Sequence, residues 1–197
     1  MTRLSLLGVG VMLGVSASAT LAQSSAGMAQ MAKASAAPEV GAMAPDFTAS
    51  WADASGPHAQ PVKLSDLRGK VVVLAFFPLD RSQGCTIEMH KFRDEYTKIF
   101  GPKAGEDVVV LPISIDSIAA HVSWAHDDHF QFSMVSDPEQ KVSSLYGSTM
   151  PGRKYDSRTV FVIGRDGKVA YHDPQFGALN QQDYDALTSA VAKAAGM

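Results

Sequence analysis

Cysteine is almost absent: the 197 residues hold a single one, Cys85. Counting alone then excludes an intramolecular disulfide, a CxxC redox pair and a zinc site built from several cysteines. Positive charge is also scarce, with Lys and Arg totalling 17 against 20 Asp and Glu, for a net charge of -3. No global positive field draws nucleic acid or an anionic membrane surface. Trp51, Phe47, Phe130 and Phe132 have no basic residues interleaved with them and read as core or edge packing, not as a stacking platform for bases. Phosphate-cradling loops are missing, since GVGVMLG falls in an N-terminal apolar run and GRDG reads as a hairpin turn. The apolar run at 4–15, about 12 residues, falls short of the roughly 20 that span a bilayer. What is present, 46% apolar and 19% charged residues, suits one compact domain.

The N-terminus has the three-part layout of a secretory signal: Met1, Thr2 and Arg3, then the apolar run, then the small residues of SASATLAQ. Residues 1–22 are expected to be removed, with cleavage after Ala19 or Ala22 and no stable membrane insertion afterwards. No Cys stands at the cleavage site, so a lipid anchor there is excluded. The expected compartment is periplasmic or secreted. Residues 23–39 contain SSAGMAQMAKASAAPE, too poor in large aliphatic residues to offset chain entropy, and read as a flexible tail in which Met28 and Met31 are incidental.

From residue 40 to 197, Gly and Pro separate short apolar runs from longer amphipathic stretches. Residues 71–77 (VVVLAFF), 108–115 and 159–163 read as strands covered on both faces. Residues 86–100, 117–130 and 138–146 read as helices, with Asp137 and Pro138 as cap and first-turn pair. Asp166-Gly167 is expected to turn a hairpin joining 159–165 to 168–172. Asn180 is expected to cap a last helix ending at Ala195 before Gly196. The stretch before 138 reads as strand or loop. The order predicts an α/β fold, a mixed β-sheet flanked by helices on both faces.

Cys85 follows the first strand in PLDRSQGC and directly precedes the helix beginning TIEMHKFRDEY. A helix N-terminus offers unpaired N–H groups and the positive end of the dipole, which favour a thiolate over a thiol. Cys85, Met89, Phe92 and Tyr96 share one face, so the sulfur is expected to be shielded yet reachable. The alternative is a small buried hydrophobe, the commonest fate of a free cysteine.

The string Pro78-x-x-x-Ser82-x-x-Cys85 resembles the P-x-x-x-[T/S]-x-x-C signature of peroxiredoxins, and GCTIEMHKFRDEY resembles the matching run of the bacterioferritin-comigratory or Q-type subfamily. GAMAPDFTAS, VKLSDLRGKVVVLAFFP and SRTVFVIGRDGKV resemble further blocks of that family in the same order. The resemblance implies a thioredoxin-like fold and an antioxidant thiol-dependent peroxidase with no cofactor and no metal. It implies Cys85 as the peroxidatic cysteine, Ser82 as a hydroxyl facing the peroxide oxygens, and Arg158 as the guanidinium holding the thiolate. Pro78 would pack over the sulfur and limit water. Arg153 competes for the arginine role, and Glu88 at the family's Glu position doubles as a first-turn acid.

One departure stands out: many Q-type members carry a resolving cysteine five residues after the first, where this chain has His90. The implied chemistry is therefore one-cysteine, with an external thiol or a thioredoxin- or glutaredoxin-like protein as reductant and a monomer or homodimer as the working unit. Five positions place His90 about 140° from Cys85 around a helix, so it is expected to be an exposed residue. His126 and His129 are three apart but no third ligand is indicated, and His121 gains nothing from either. The alternative function is a redox sensor or thiol-relay protein of the same fold with little turnover.

Overall fold

The computed structural model describes residues 36–197. The expected signal and residues 23–35 of the tail, Met28 and Met31 included, lie outside them. Eight strands form one sheet: β1 (Thr48–Asp53), β2 (Gly56–Pro57), β3 (Val62–Lys63), β4 (Val71–Phe76), β5 (Val108–Ser114), β6 (Met134–Ser136), β7 (Thr159–Ile163) and β8 (Val169–Asp173). Their spatial order is β2-β1-β6-β5-β4-β7-β8, with β3 paired to β1. β4 runs parallel to β5 and antiparallel to β7, so the sheet is mixed, as the alternation of elements predicts.

Every residue of β4 is buried, the signature of a central strand. Side chains alternate across the sheet. Val71, Val73 and Ala75, with Val108, Val110, Val160 and Val162, face a core shared with Met89, Phe92, Trp124, Tyr184, Leu187 and Val191. Those partners lie on α1 (Gln83–Asp94), α3 (Ile118–Asp127) and α5 (Gln181–Ala195). Val72, Leu74 and Phe76 face a second core with Leu111, Ile113, Phe161, Phe47 and Tyr146, closed by a 3-10 turn at Leu64–Leu67 and by Val142 of α4 (Lys141–Leu145). Ala37, expected in the loose tail, packs against this second core.

Several expected boundaries move. The helix expected over 86–100 begins earlier, at Gln83, and breaks at Glu95 (φ -109°, ψ 26°), beyond which α2 (Tyr96–Phe100) carries Ile99 and Phe100 into the core. The helix expected over 138–146 shrinks to α4, because Asp137 to Gln140 form a turn whose amide at Gln140 bonds back to the Asp137 carbonyl, with Gln140 in the left-handed region (φ 52°). Asp137 still serves the helix: its carboxylate accepts from the amides of Lys141 (2.8 Å) and Ser143 (2.9 Å). The 166–167 hairpin forms, and Asn180 caps α5 by accepting from the Gln182 amide. Among the described residues no helix is long and apolar enough to cross a membrane.

Candidate active site

The sheet register assembles the site. β4 pairs with β7 so that Phe76 lies opposite Thr159. The loop leaving β4 and the residue entering β7 therefore meet at one sheet end, and Arg158 comes beside Cys85, 73 residues away in sequence. Ser82, in extended conformation (φ -67°, ψ 149°), is the N-cap of α1, and its carbonyl accepts the Thr86 amide at 2.8 Å. Its hydroxyl makes no capping bond, which leaves it free for another partner. Cys85 sits in the first turn of α1 and is fully buried. It is shielded, as expected, but its side chain is not reachable in this conformation. Pro78 is half-buried at the start of the loop.

Arg158 makes two bonds with one guanidinium. Nη2 donates to Cys85 Sγ at 3.3 Å, and Nη1 donates to Glu88 Oε2 one helical turn further along. The guanidinium presses on the turn so closely that a Cβ added at Gly84 would stand 3.1 Å from Nη2. Glu88 is fully buried and its Oε1 has no hydrogen-bond partner. Burial pushes its carboxyl up to about 7 against the pull of Arg158. Arg153, the competitor, lies in an exposed turn with its guanidinium 5.9 Å from the centre of the Tyr155 ring.

Residues 40–172 match the model of the AhpC/TSA family. The chain belongs to the AhpC/TSA family. Among its relatives are peroxiredoxin Bcp of Bacillus subtilis, 31% identical over 66% of this chain and 82% of that one, and chloroplastic peroxiredoxin Q of Triticum aestivum, 36% identical over 66% and 57%. The solved structure of peroxidoxin BcpB from Mycobacterium tuberculosis superposes with a TM-score of 0.65 at 26% identity, covering 79% of this chain and 97% of that one. Peroxiredoxin Q of Xanthomonas campestris, 23% identical over 82% and 99%, shares the fold at a TM-score of 0.63. The fold is thioredoxin-like.

Within this AhpC/TSA chain the histidines fall out differently from expectation. His90 is not simply exposed: its Nε2 lies 2.9 Å from Asp128 Oδ2, which also accepts from Trp124 Nε1 at 2.6 Å, so the residue ties α1 to the end of α3. His126 is exposed beside Asp127, and His129 adopts a left-handed backbone (φ 56°). No group of three or more potential metal ligands occurs among the described residues.

His121, set aside on spacing, is fully buried with its Nδ1 against both carboxylate oxygens of Asp80 (3.1 and 2.9 Å). Asp80 lies between Pro78 and Ser82, and its amide donates to Asp116 Oδ2 at 2.8 Å. Sequence reasoning missed this pair. The available signal was an acid inside the loop before Cys85, followed 41 positions later by a histidine on an otherwise apolar helix face.

Proposed function

We propose that the protein is a thiol-dependent peroxidase that works through Cys85 alone. The observation that carries the proposal is the 3.3 Å contact of the Arg158 guanidinium with the sulfur at the first turn of α1. An always-ionised, rigid donor there holds the sulfur in place and stabilises charge on the reacting oxygens. The sulfur attacks the distal oxygen of a hydroperoxide. The S–O bond forms as the O–O bond breaks, sulfur is oxidised to sulfenic acid, and the departing hydroxide or alkoxide takes up a proton to leave as water or alcohol.

Ser82, with its hydroxyl free of capping duty, donates to and accepts from the peroxide oxygens as charge moves along them. Pro78 limits water at the sulfur. One thiol of an external reductant then displaces water from the sulfenic acid to form a mixed disulfide, and a second thiol releases Cys85. Small thiols and thioredoxin- or glutaredoxin-like proteins supply that chemistry, and a monomer or homodimer suffices for it. The signal layout of residues 1–22 supports work in the periplasm or outside the cell.

Peroxide consumption with excess dithiothreitol tests the reading. The wild type turns over, Cys85→Ser does not, and Arg158→Ala loses about 100-fold or more in kcat/KM. Wild-type consumption no faster than buffer would overturn the peroxidase reading in favour of a sensor that oxidises once and stops.

A further inference from the structure

The loop 78–82 has little of its own to hold it. Its one internal backbone bond, from the Ser82 amide to the Leu79 carbonyl, is long at 3.4 Å, and Arg81 sits in the left-handed region at φ 59°. Conformation must be imposed from outside. Three groups do so: Asp116, which accepts the Asp80 amide; Asp127 with Ser123, which bind the Arg81 guanidinium at 2.6 and 3.1 Å; and His121, which meets the Asp80 carboxylate. The Arg81 pair is half exposed and screened by solvent, whereas the His121 and Asp80 side chains are 0% and 6% exposed.

We propose that His121 is a positioning residue for the peroxidase reaction: through Asp80 it fixes loop 78–82, and with it Ser82 and the first turn of α1, in the geometry that receives peroxide. The proposal rests on the peroxidase reading of Cys85. Proton arithmetic supports it. His121 Nε2 lies 3.2 Å from the Val135 carbonyl oxygen, and Nδ1 lies 2.9 Å from an Asp80 carboxylate oxygen, the stronger acceptor of the two. The Nδ1 contact needs one proton between ring and acid, and a neutral imidazole supplies it as the Nδ1–H tautomer.

Attachment of the loop thus runs through one buried hydrogen bond between ring and acid. The charged groups facing the pair are Asp116, which follows β5, and Arg81 in the loop itself. Burial, opposed by His121 and supported by Asp116, pushes the Asp80 carboxyl up, in the direction that retains the proton.

Two amide replacements of His121 separate positioning from mere core filling. In His121→Asn the amide nitrogen stands where Nδ1 stood and donates to Asp80 at every pH. In His121→Gln it stands where Nε2 stood, keeping Val135 and abandoning Asp80. Steady-state rates with hydrogen peroxide and dithiothreitol, across pH, are the readout.

His121→Gln is expected to lower kcat/KM for peroxide at least tenfold while kcat, set by the thiol step, holds or rises because the sulfur is less enclosed. His121→Asn, which keeps a donor to Asp80, is expected to stay within threefold of wild type. Asp80→Asn, whose amide donates to neutral Nδ1, should behave like His121→Asn, and Asp80→Ala like His121→Gln. That second pair carries the comparison if His121→Gln does not fold.

Equal losses in the Asn and Gln variants, a parallel drop in kcat and kcat/KM, or a His121→Gln variant within threefold of wild type would each overturn the proposal. Wild type and Cys85→Ser run alongside. If wild type shows no turnover that depends on Cys85, the peroxidase reading itself falls and takes this proposal with it.

Discussion

Glu88 has no solvent in which to ionise, and its charge therefore depends on Arg158. With its carboxyl pushed up to about 7 by burial, it is neutral in mildly acidic solution and anionic above, where it shares the guanidinium with the Cys85 sulfur. A carboxylate on Nη1 offsets part of the positive charge that the guanidinium brings to the reacting oxygens. Glu88→Gln keeps an acceptor for Nη1 without the charge. Stopped-flow oxidation rates of the two proteins should coincide below about pH 6 and separate above about pH 7, with the Gln variant faster by a factor of a few. Superposed profiles over the whole range would show that Glu88 ionisation does not reach the sulfur. At this scale the sequence was most informative where a residue type is rare. Cys85 is unique, and its string also singles out Ser82 and Pro78 as candidates beside it. Arg158 needed the β4–β7 register to separate it from Arg153, because two arginines five positions apart look alike until one faces the core. The buried Asp80–His121 pair was hard to read for a related reason: each residue stands out in its own segment, but 41 positions apart they share no local pattern, and their meeting is a property of how α3 packs.

The elements legible from pattern alone were those whose burial is complete or whose ends carry distinctive chemistry. The strand at 71–77 is apolar without interruption, and α5 has Asn180 before it and Gly196 (φ 75°) after it. β1 was missed because its burial pattern is mostly exposed or partial, leaving little apolar alternation to read. The break at Glu95 was hidden because Ile99 and Phe100 continue an apolar stripe across it. The short α4 is coupled to the approach of Arg158 through Asp156. That carboxyl is buried, accepts from Gln140 Nε2 at 2.9 Å, and leaves Oδ2 without a partner, so burial pushes it up to about 6. Its folded value exceeds its value in the open chain. The associated stability is therefore fully present below about pH 4, declines as pH rises, and is gone above about pH 6. Asp156→Asn keeps the acceptor for Gln140 and removes the burden of ionisation. Urea denaturation should find it about 1–2 kcal/mol more stable than wild type at pH 7.5 and equal to it near pH 4. A variant that is less stable at pH 7.5 would mean the carboxylate is stabilised by something other than the groups around it here.

On the scale of the whole molecule, one thiol must both react and be restored, and no second sulfur of a cysteine in the chain can trap it. In a protein with a resolving cysteine, sulfenic acid is removed at the rate of an internal encounter; here removal depends on the concentration of outside thiol. An oxidising compartment, the one we propose for this protein, supplies little of it. Burial adds a further delay, since the Cys85 side chain must come out of its enclosure before a protein thiol can reach it. The competing reaction needs no such opening to the same extent: a second small peroxide enters where the first did and carries the sulfenic acid to sulfinic acid. Without reductant, excess peroxide should therefore add two oxygens to Cys85, with no intramolecular disulfide, and intact-mass and peptide mass spectrometry would register both. Raising dithiothreitol at fixed peroxide should suppress the sulfinic product in proportion to thiol concentration. If Cys85 stops at sulfenic acid under excess peroxide, the same enclosure that delays the thiol also refuses the second peroxide, and the closed α1 start is a guard on the oxidised state.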